Sequence, residues 1–238
     1  MGDLRDRIAS LEGVVAKQGE CLPFGVSAID AVLPGGGLAR GDLHEFAGGG
    51  AGTVDGAAAA LFVAGVAART NGKIVWCLTR PDLFFPALAQ AGLNANRVIF
   101  VESDREEDVL ASMEEALSFG GLGAVVGEVV RLPMLASRRL QLAAEKKGSL
   151  ALVVCSWRRQ TEANDFGQPT ASTTRWGVSV LPSEELPVPD VGRARCLLEL
   201  MRSRAEVIVG ACDDKGRIDL PTESIYGSHS SRRSRHSG

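Results

Sequence analysis

The chain has 238 residues, 45% of them hydrophobic, and a formal net charge of −3. That length and apolar content suit one sizeable core and argue against disorder over most of the chain. The slight acidity excludes a global positive field that would drive nucleic-acid binding.

Residues 3–18 place Leu4, Ile8, Leu11 and Val15 at i, i+4, i+7 and i+11, one stripe of an amphipathic helix. Such a stripe either docks on a partner or lies on the protein's own core, and Gly13 weakens the helix a little. Residues 1–20 are therefore read as an appended helix, 21–220 as the core domain and 221–238 as a disordered polar, basic tail. Pro34–Gly37 forms a turn. A short strand, Asp42–Phe46, then runs into the glycine-rich turn Ala47–Gly52, and an alanine-rich helix follows over Ala57–Arg69.

Strand, glycine loop and helix in that order are the layout of a phosphate-binding loop, with Gly48, Gly49, Gly50 and Gly52 in the loop. The pattern then needs Gly-Lys-Ser/Thr, and the residues standing there are Thr53, Val54 and Asp55. The lysine that reaches the β- and γ-phosphates is a valine, and the hydroxyl that holds Mg²⁺ is a carboxylate. No lysine lies between Lys17 and Lys73, so shifting the frame does not recover the motif. Asp55 near a helix start reads as a carboxylate accepting that helix's free N–H groups, where it would repel a triphosphate.

Further along, Ile74–Leu78 reads as a buried strand, Pro81–Gln90 as a helix containing Pro86, and Val98–Val101 as a strand. Glu106–Phe119 is helical, with Val109, Leu110, Met113 and Leu117 on one face. Ala124–Val126 leads into Glu128 as a strand, Leu135–Lys147 is a helix and Leu150–Cys155 a strand. Strands alternating with helices predict βαβ units and a parallel sheet. Arg158–Thr174 reads as a long polar loop. Three directly joined strands, Arg175–Leu181, Cys196–Met201 and Val207–Cys212, then predict an antiparallel extension. The five cysteines are widely spaced without a CxxC pair, and the three histidines supply no zinc ligand set. Met1–Leu11 is too charged for a signal peptide, and no apolar run reaches about 18 residues, so a cytoplasmic location is expected.

The run GVSAIDAVLPGGGLARGDLHEFAG is similar to the lead-in of RecA-type cores, and the likeness continues through IVWCLTRPDLFFPALAQAGLNANRVIFVE and GLGAVVGEVVRL. More narrowly, LPFGVSAIDAVLPGGGLARGDLHEFAG, RPDLFFPALAQAGL, VVGEVVRL, SRRLQLAAE, PTASTTRW and GRARCLLEL resemble the ImuA family, over roughly residues 4–220. That family is RecA-like and related to SulA. The resemblance implies an α/β core, a mostly parallel sheet flanked by helices, with a degenerate Walker A loop. It implies work in mutagenic translesion synthesis beside RecA, a Y-family-polymerase-like ImuB protein and an error-prone replicative polymerase paralogue.

By the same resemblance, the carboxylate that activates water falls at Arg80, and the aspartate that holds Mg²⁺ falls at Gly127, with Glu128 next door. Phosphoryl transfer rests on positioning, Mg²⁺ and charge neutralisation, so these losses predict a non-catalytic site with no cofactor and no metal. Glu128 is expected to pair with a neighbour such as Arg80. The first RecA DNA loop is missing between Val130 and Leu135, so DNA contact is expected to be weak and non-specific. Leu4, Ile8, Leu11 and Val15 are the candidate partner surface. The alternatives are a degenerate P-loop ATPase using Arg80 and Glu128, and a cell-division inhibitor of the SulA type.

Overall fold

The computed structural model describes residues 20–49, 53–157, 168–183, 195–203 and, by backbone alone, 217–221. The stripe Leu4–Val15, loop residues Gly50 and Gly52, the strand expected at 207–212 and the tail after Pro221 lie outside the described residues. A small lead-in comprises β1 (Cys21–Leu22), α1 (Ser27–Asp30) and β2 (Leu38–Ala39). There follow β3 (Leu43–Gly48), α2 (Thr53–Ala68), β4 (Ile74–Leu78), α3 (Phe85–Gln90), β5 (Val98–Glu102), α4 (Glu106–Phe119) and β6 (Ala124–Val129). The chain continues through α5 (Met134–Lys147), β7 (Leu150–Cys155), β8 (Thr174–Leu181), β9 (Arg195–Ser203) and β10 (Arg217–Pro221).

The main sheet has the order β10-β9-β8-β3-β7-β6-β4-β5. Strands β5 through β8 run parallel, and β9 and β10 are antiparallel to their neighbours. Strands β4 and β7 read as unbroken apolar runs because both faces are covered. Every residue of β4 and β7 is buried. One face packs on α2, where Phe46, Phe62, Trp76 and Trp176 form the large side chains of the core. Phe24 of the lead-in stacks on Phe62 with ring centroids 5.6 Å apart. The other face packs on α4 and α5 through Met113, Leu117, Val125, Leu140 and Val153. The buried residues Val109, Met113 and Leu117 of α4 keep the helical spacing read from the sequence.

The parallel α/β core and its antiparallel extension match the expected fold class. Boundaries differ where local chemistry decides them. Helix α3 begins at Phe85 rather than Pro81, because Pro86 occupies the first turn, where its missing N–H costs nothing. Helix α2 begins four residues before Ala57, at Thr53, so Asp55 lies inside its first turn. Strand β6 runs on to Val129 and carries Gly127 and Glu128 within it. The extension's outer strand is β10, at Arg217–Pro221. Polar residues 168–173 form no helix or strand, as their composition suggests, yet Thr170, Ala171 and Ser172 are buried.

Candidate functional site

The turn after β3 is held against β8. Gly49 N donates to Val178 O at 2.7 Å. Asp55 Oδ1 accepts from Val180 N at 2.9 Å. The carboxylate of Asp55 thus bonds a neighbouring strand, not the N–H groups of its own helix as the sequence suggested. The reason is the earlier helix start, which places Asp55 in the first turn facing the end of β8 rather than at the cap. The two loop glycines are required by close approach. A Cβ on Gly48 would sit 2.9 Å from Gly56 N, and one on Gly49 would overlap Ser179 Oγ. Val54, at the lysine position, is 66% exposed. Replacing Asp55 with alanine is expected to cost about 1 kcal/mol in urea unfolding and to speed hydrogen exchange of the Val180 amide. Unchanged Val180 exchange would show that the tie is not formed.

Beside this junction, a cleft of about 370 Å³ opens at the carboxyl ends of β4, β6 and β7, against the first turns of α2. Its lining brings together Thr53, Arg80 and Glu128 from the sequence reading, with Thr79, Asp82, Glu106, Ser156 and Trp157. The location is that of ligand crevices in open parallel sheets. Strand alternation corrects the reading of β6. Gly127 faces the other side of the sheet, where an added Cβ would overlap Met113 Sδ of α4. Glu128, one residue on, faces the α2 side and lines the cleft.

Glu128 does not pair with Arg80. Its Oε1 accepts from Trp76 Nε1 at 2.7 Å, while the Arg80 side chain is exposed at the rim. Burial pushes the Glu128 carboxyl up to about 7, with nearby Asp82 adding to the rise and the Trp76 bond opposing it. Glu106 Oε1 accepts from Val130 N at 2.9 Å, closing the floor of the cleft. Trp76 was missed in the sequence, although a tryptophan inside a buried strand needs an acceptor for its N–H. Among the described residues, no three His, Cys, Asp or Glu side chains gather as a metal-binding group.

A second polar cluster lies behind the loop. Glu45, on β3, points into the core and is bound by Arg175 Nη2 at 3.0 Å. Thr170 and Ser172 each donate a hydroxyl to Glu45 Oε2 at 2.9 Å. Arg175 also donates to Gln168 O and Thr170 Oγ1. Ser137 of α5 accepts from Ala171 N at 2.8 Å. These bonds account for the PTASTTRW segment: its hydroxyls and arginine surround one buried carboxylate and fix the approach to β8. On the other face, His44 Nε2 donates to Ala39 O and Nδ1 accepts from Thr174 Oγ1, while burial lowers its pKa and keeps the ring neutral.

A parallel sheet with its crevice at the carboxyl ends, a glycine turn after β3 and a following buried helix define a RecA-like α/β core. The crystal structure of the RadB recombinase superposes on this fold with a TM-score of 0.57, covering 86% of this chain and 97% of that one at 16% identity. No protein-family model matches the chain. Two proteins named Protein ImuA are similar in sequence, from Caulobacter vibrioides strains NA1000 / CB15N and ATCC 19089 / CIP 103742 / CB 15. Each is 40% identical over 195 residues, 77% of this chain and 78% of the relative. The chain belongs to the ImuA family. Among its described residues, no helix is long and apolar enough to cross a membrane.

Proposed function

We propose that this chain is a non-catalytic RecA-like adaptor in SOS-induced mutagenic translesion DNA synthesis. The observation that carries this reading is the closed loop–helix junction. Gly49 N is committed to Val178 O, and Asp55 is committed to Val180 N. A P-loop holds phosphate with free backbone amides, a lysine and a hydroxyl. Here one amide is used by β8, and valine and aspartate replace the two side chains. Among the described residues, the cleft beside it carries Asp82, Glu106 and, when ionised, Glu128 against one cation, Arg80, which disfavours a triphosphate.

In this reading the protein acts in the cytoplasm through its surfaces. It binds RecA, the ImuB protein and the error-prone replicative polymerase paralogue, and reaches the nucleoid through them. Direct DNA contact is weak and non-specific, since Arg139 is already paired with Glu114 of α4. Purified RecA, ImuB protein and polymerase paralogue, each titrated against the labelled chain, test the adaptor role. Binding to at least one of them is expected at micromolar concentration or below; no binding to any of the three refutes the role.

One observation favours the degenerate ATPase instead. Glu128 lies on the α2 side of β6, where a Mg²⁺-holding carboxylate would lie. Its burial and its bond to Trp76 favour the structural role.

A further inference from the structure

The cleft at the carboxyl ends of β4, β6 and β7 disfavours a triphosphate, but its donor set suits a cation. Asp82, Glu106 and Glu128 line it from the loop after β4, from α4 and from β6. Trp76 Nε1 donates to Glu128 Oε1, and Val130 N donates to Glu106 Oε1. Among the described residues, the second oxygen of each of these two carboxylates has no hydrogen-bond partner. Both oxygens remain available to a donor in the cleft. No three His, Cys, Asp or Glu side chains gather as a metal-binding group among those residues, so the fit is to an organic cation rather than a bare ion.

The walls select the kind of cation. Trp157 lines the cleft beside Ala57, Ala60 and Leu83, and Thr79 and Ser156 add hydroxyls. A guanidinium is flat, stacks on an indole and carries five N–H donors in a fork that matches a carboxylate. An ammonium has no plane to stack and is more strongly hydrated. A volume of about 370 Å³ lies at the low end for ligand pockets, which suits one long side chain.

The surroundings favour a protein as the source. Val54 follows Thr53 and Phe84 follows Leu83, and they stand 66% and 70% exposed next to residues that line the cleft. Phe85, 47% exposed, leans on Phe100 with ring centroids 4.9 Å apart. A polar pocket flanked by exposed apolar side chains is the layout of an interface whose arginine anchor is shielded from water. A free small cation leaves those side chains in water.

We propose that the cleft receives an arginine side chain of a protein partner, with its guanidinium on Glu128 and Glu106 and its plane against Trp157. The source of the arginine rests on the adaptor reading, while the guanidinium site itself does not. Binding is linked to protons. Burial raises the Glu128 carboxyl to about 7, with Asp82 adding to the rise and the Trp76 bond opposing it. The other charged groups lining the cleft are Glu106 and Arg80, while Asp55 of α2 is tied to Val180 N. The ionised carboxylate binds the guanidinium, so affinity rises as pH rises through about 7.

Titration of the full chain with N-acetyl-arginine amide tests the site, read by the indole N–H signals of its three tryptophans in ¹⁵N NMR. Saturable shifts are expected at Trp76 and Trp157 but not at Trp176, with half-saturation at about 1 mM at pH 8. At pH 6 binding is expected to be about tenfold weaker, following the ionised fraction of Glu128. The lysine analogue is expected to bind about threefold more weakly than arginine, and the neutral citrulline analogue not to saturate. Glu128→Gln keeps an oxygen for Trp76 and is expected to weaken binding about tenfold at pH 8 and to remove its pH dependence. Equal binding of the lysine or citrulline analogue, or of arginine by the Gln variant, overturns the inference. In a second arm, each protein that binds the parent chain is titrated against Glu128→Gln at pH 8, where a loss of about tenfold is expected. Equal affinity for the Gln variant overturns the inference and leaves the adaptor role standing. Saturable binding of the arginine probe, with no protein partner binding the parent chain, refutes the adaptor role and leaves the guanidinium site standing.

Discussion

Replacing Glu45 with alanine is expected to destabilise the protein by about 3–5 kcal/mol, the cost of leaving a buried partner charge uncompensated. Arg175 is as buried as Glu45, with side-chain exposures of 6% and 3%. Without the carboxylate, a guanidinium remains in the core, and the hydroxyls of Thr170 and Ser172 lose their acceptor. The effect reaches the loop–helix junction, because Arg175 lies on β8, the strand that binds Gly49 and Asp55. Thr170→Ala removes one hydroxyl bond and is expected to cost about 1 kcal/mol. Glu45→Met combined with Arg175→Met is expected to cost less than the sum of the two single changes, since the double change leaves no orphan charge. Urea unfolding of Glu45→Ala, Thr170→Ala, the double methionine variant and its two single changes measures the set. A loss below about 1 kcal/mol for Glu45→Ala would mean that the pair does not anchor β8.

Stability is also expected to fall as pH rises through neutrality, and Glu128 is the cause. Its carboxyl is raised from 4.5 to about 7 by burial. A carboxyl with a raised folded pKa favours the folded state fully below its unfolded pKa, and that contribution is lost as pH rises through about 7. The full span corresponds to about 3 kcal/mol. Glu128→Gln keeps an oxygen for the Trp76 N–H and does not ionise. The stability of the Gln variant relative to the parent should therefore rise by that order between pH 5 and pH 9, read by chemical denaturation. His44 works in the opposite direction. Its lowered pKa makes the neutral ring stabilising above the unfolded value, and that contribution is lost as pH falls below about 6.5. His44 is common to both proteins, so it cancels in the difference. A flat difference between Gln variant and parent would place Glu128 in contact with water.

Much of the fold was legible because period and breakers are local signals. Ile74–Leu78, Glu106–Phe119 and Leu150–Cys155 end where their apolar patterns end. The strand order was not legible, since β3 meets β7 and β8 only through contacts more than a hundred residues apart in sequence. The degenerate loop was legible from the order of strand, glycine turn and helix, but its ties were not. Nothing in Thr53–Val54–Asp55 reveals that Asp55 reaches Val180. The resemblance puts the Mg²⁺-holding position at Gly127, with Glu128 next door, and alignment by motif ignores which way a strand residue points. Alternation along β6, fixed by its pairing with β4 and β7, assigns the cleft to Glu128. The role of PTASTTRW was hidden because its partner, Glu45, lies in the apolar β3 run. A charged residue on the core side of a central strand is the signal that a partner is waiting.

The proposed adaptor role requires that the loop–helix junction hold no nucleotide. Isothermal titration of the full chain with ATP, with and without Mg²⁺, measures it directly. That role predicts no binding tighter than about 1 mM under either condition, because Val54 and Asp55 stand at the positions of the phosphate ligands and β8 uses the Gly49 amide. Mg²⁺-dependent binding at about 10 μM would contradict this and would return Glu128 to the role of a metal-holding carboxylate.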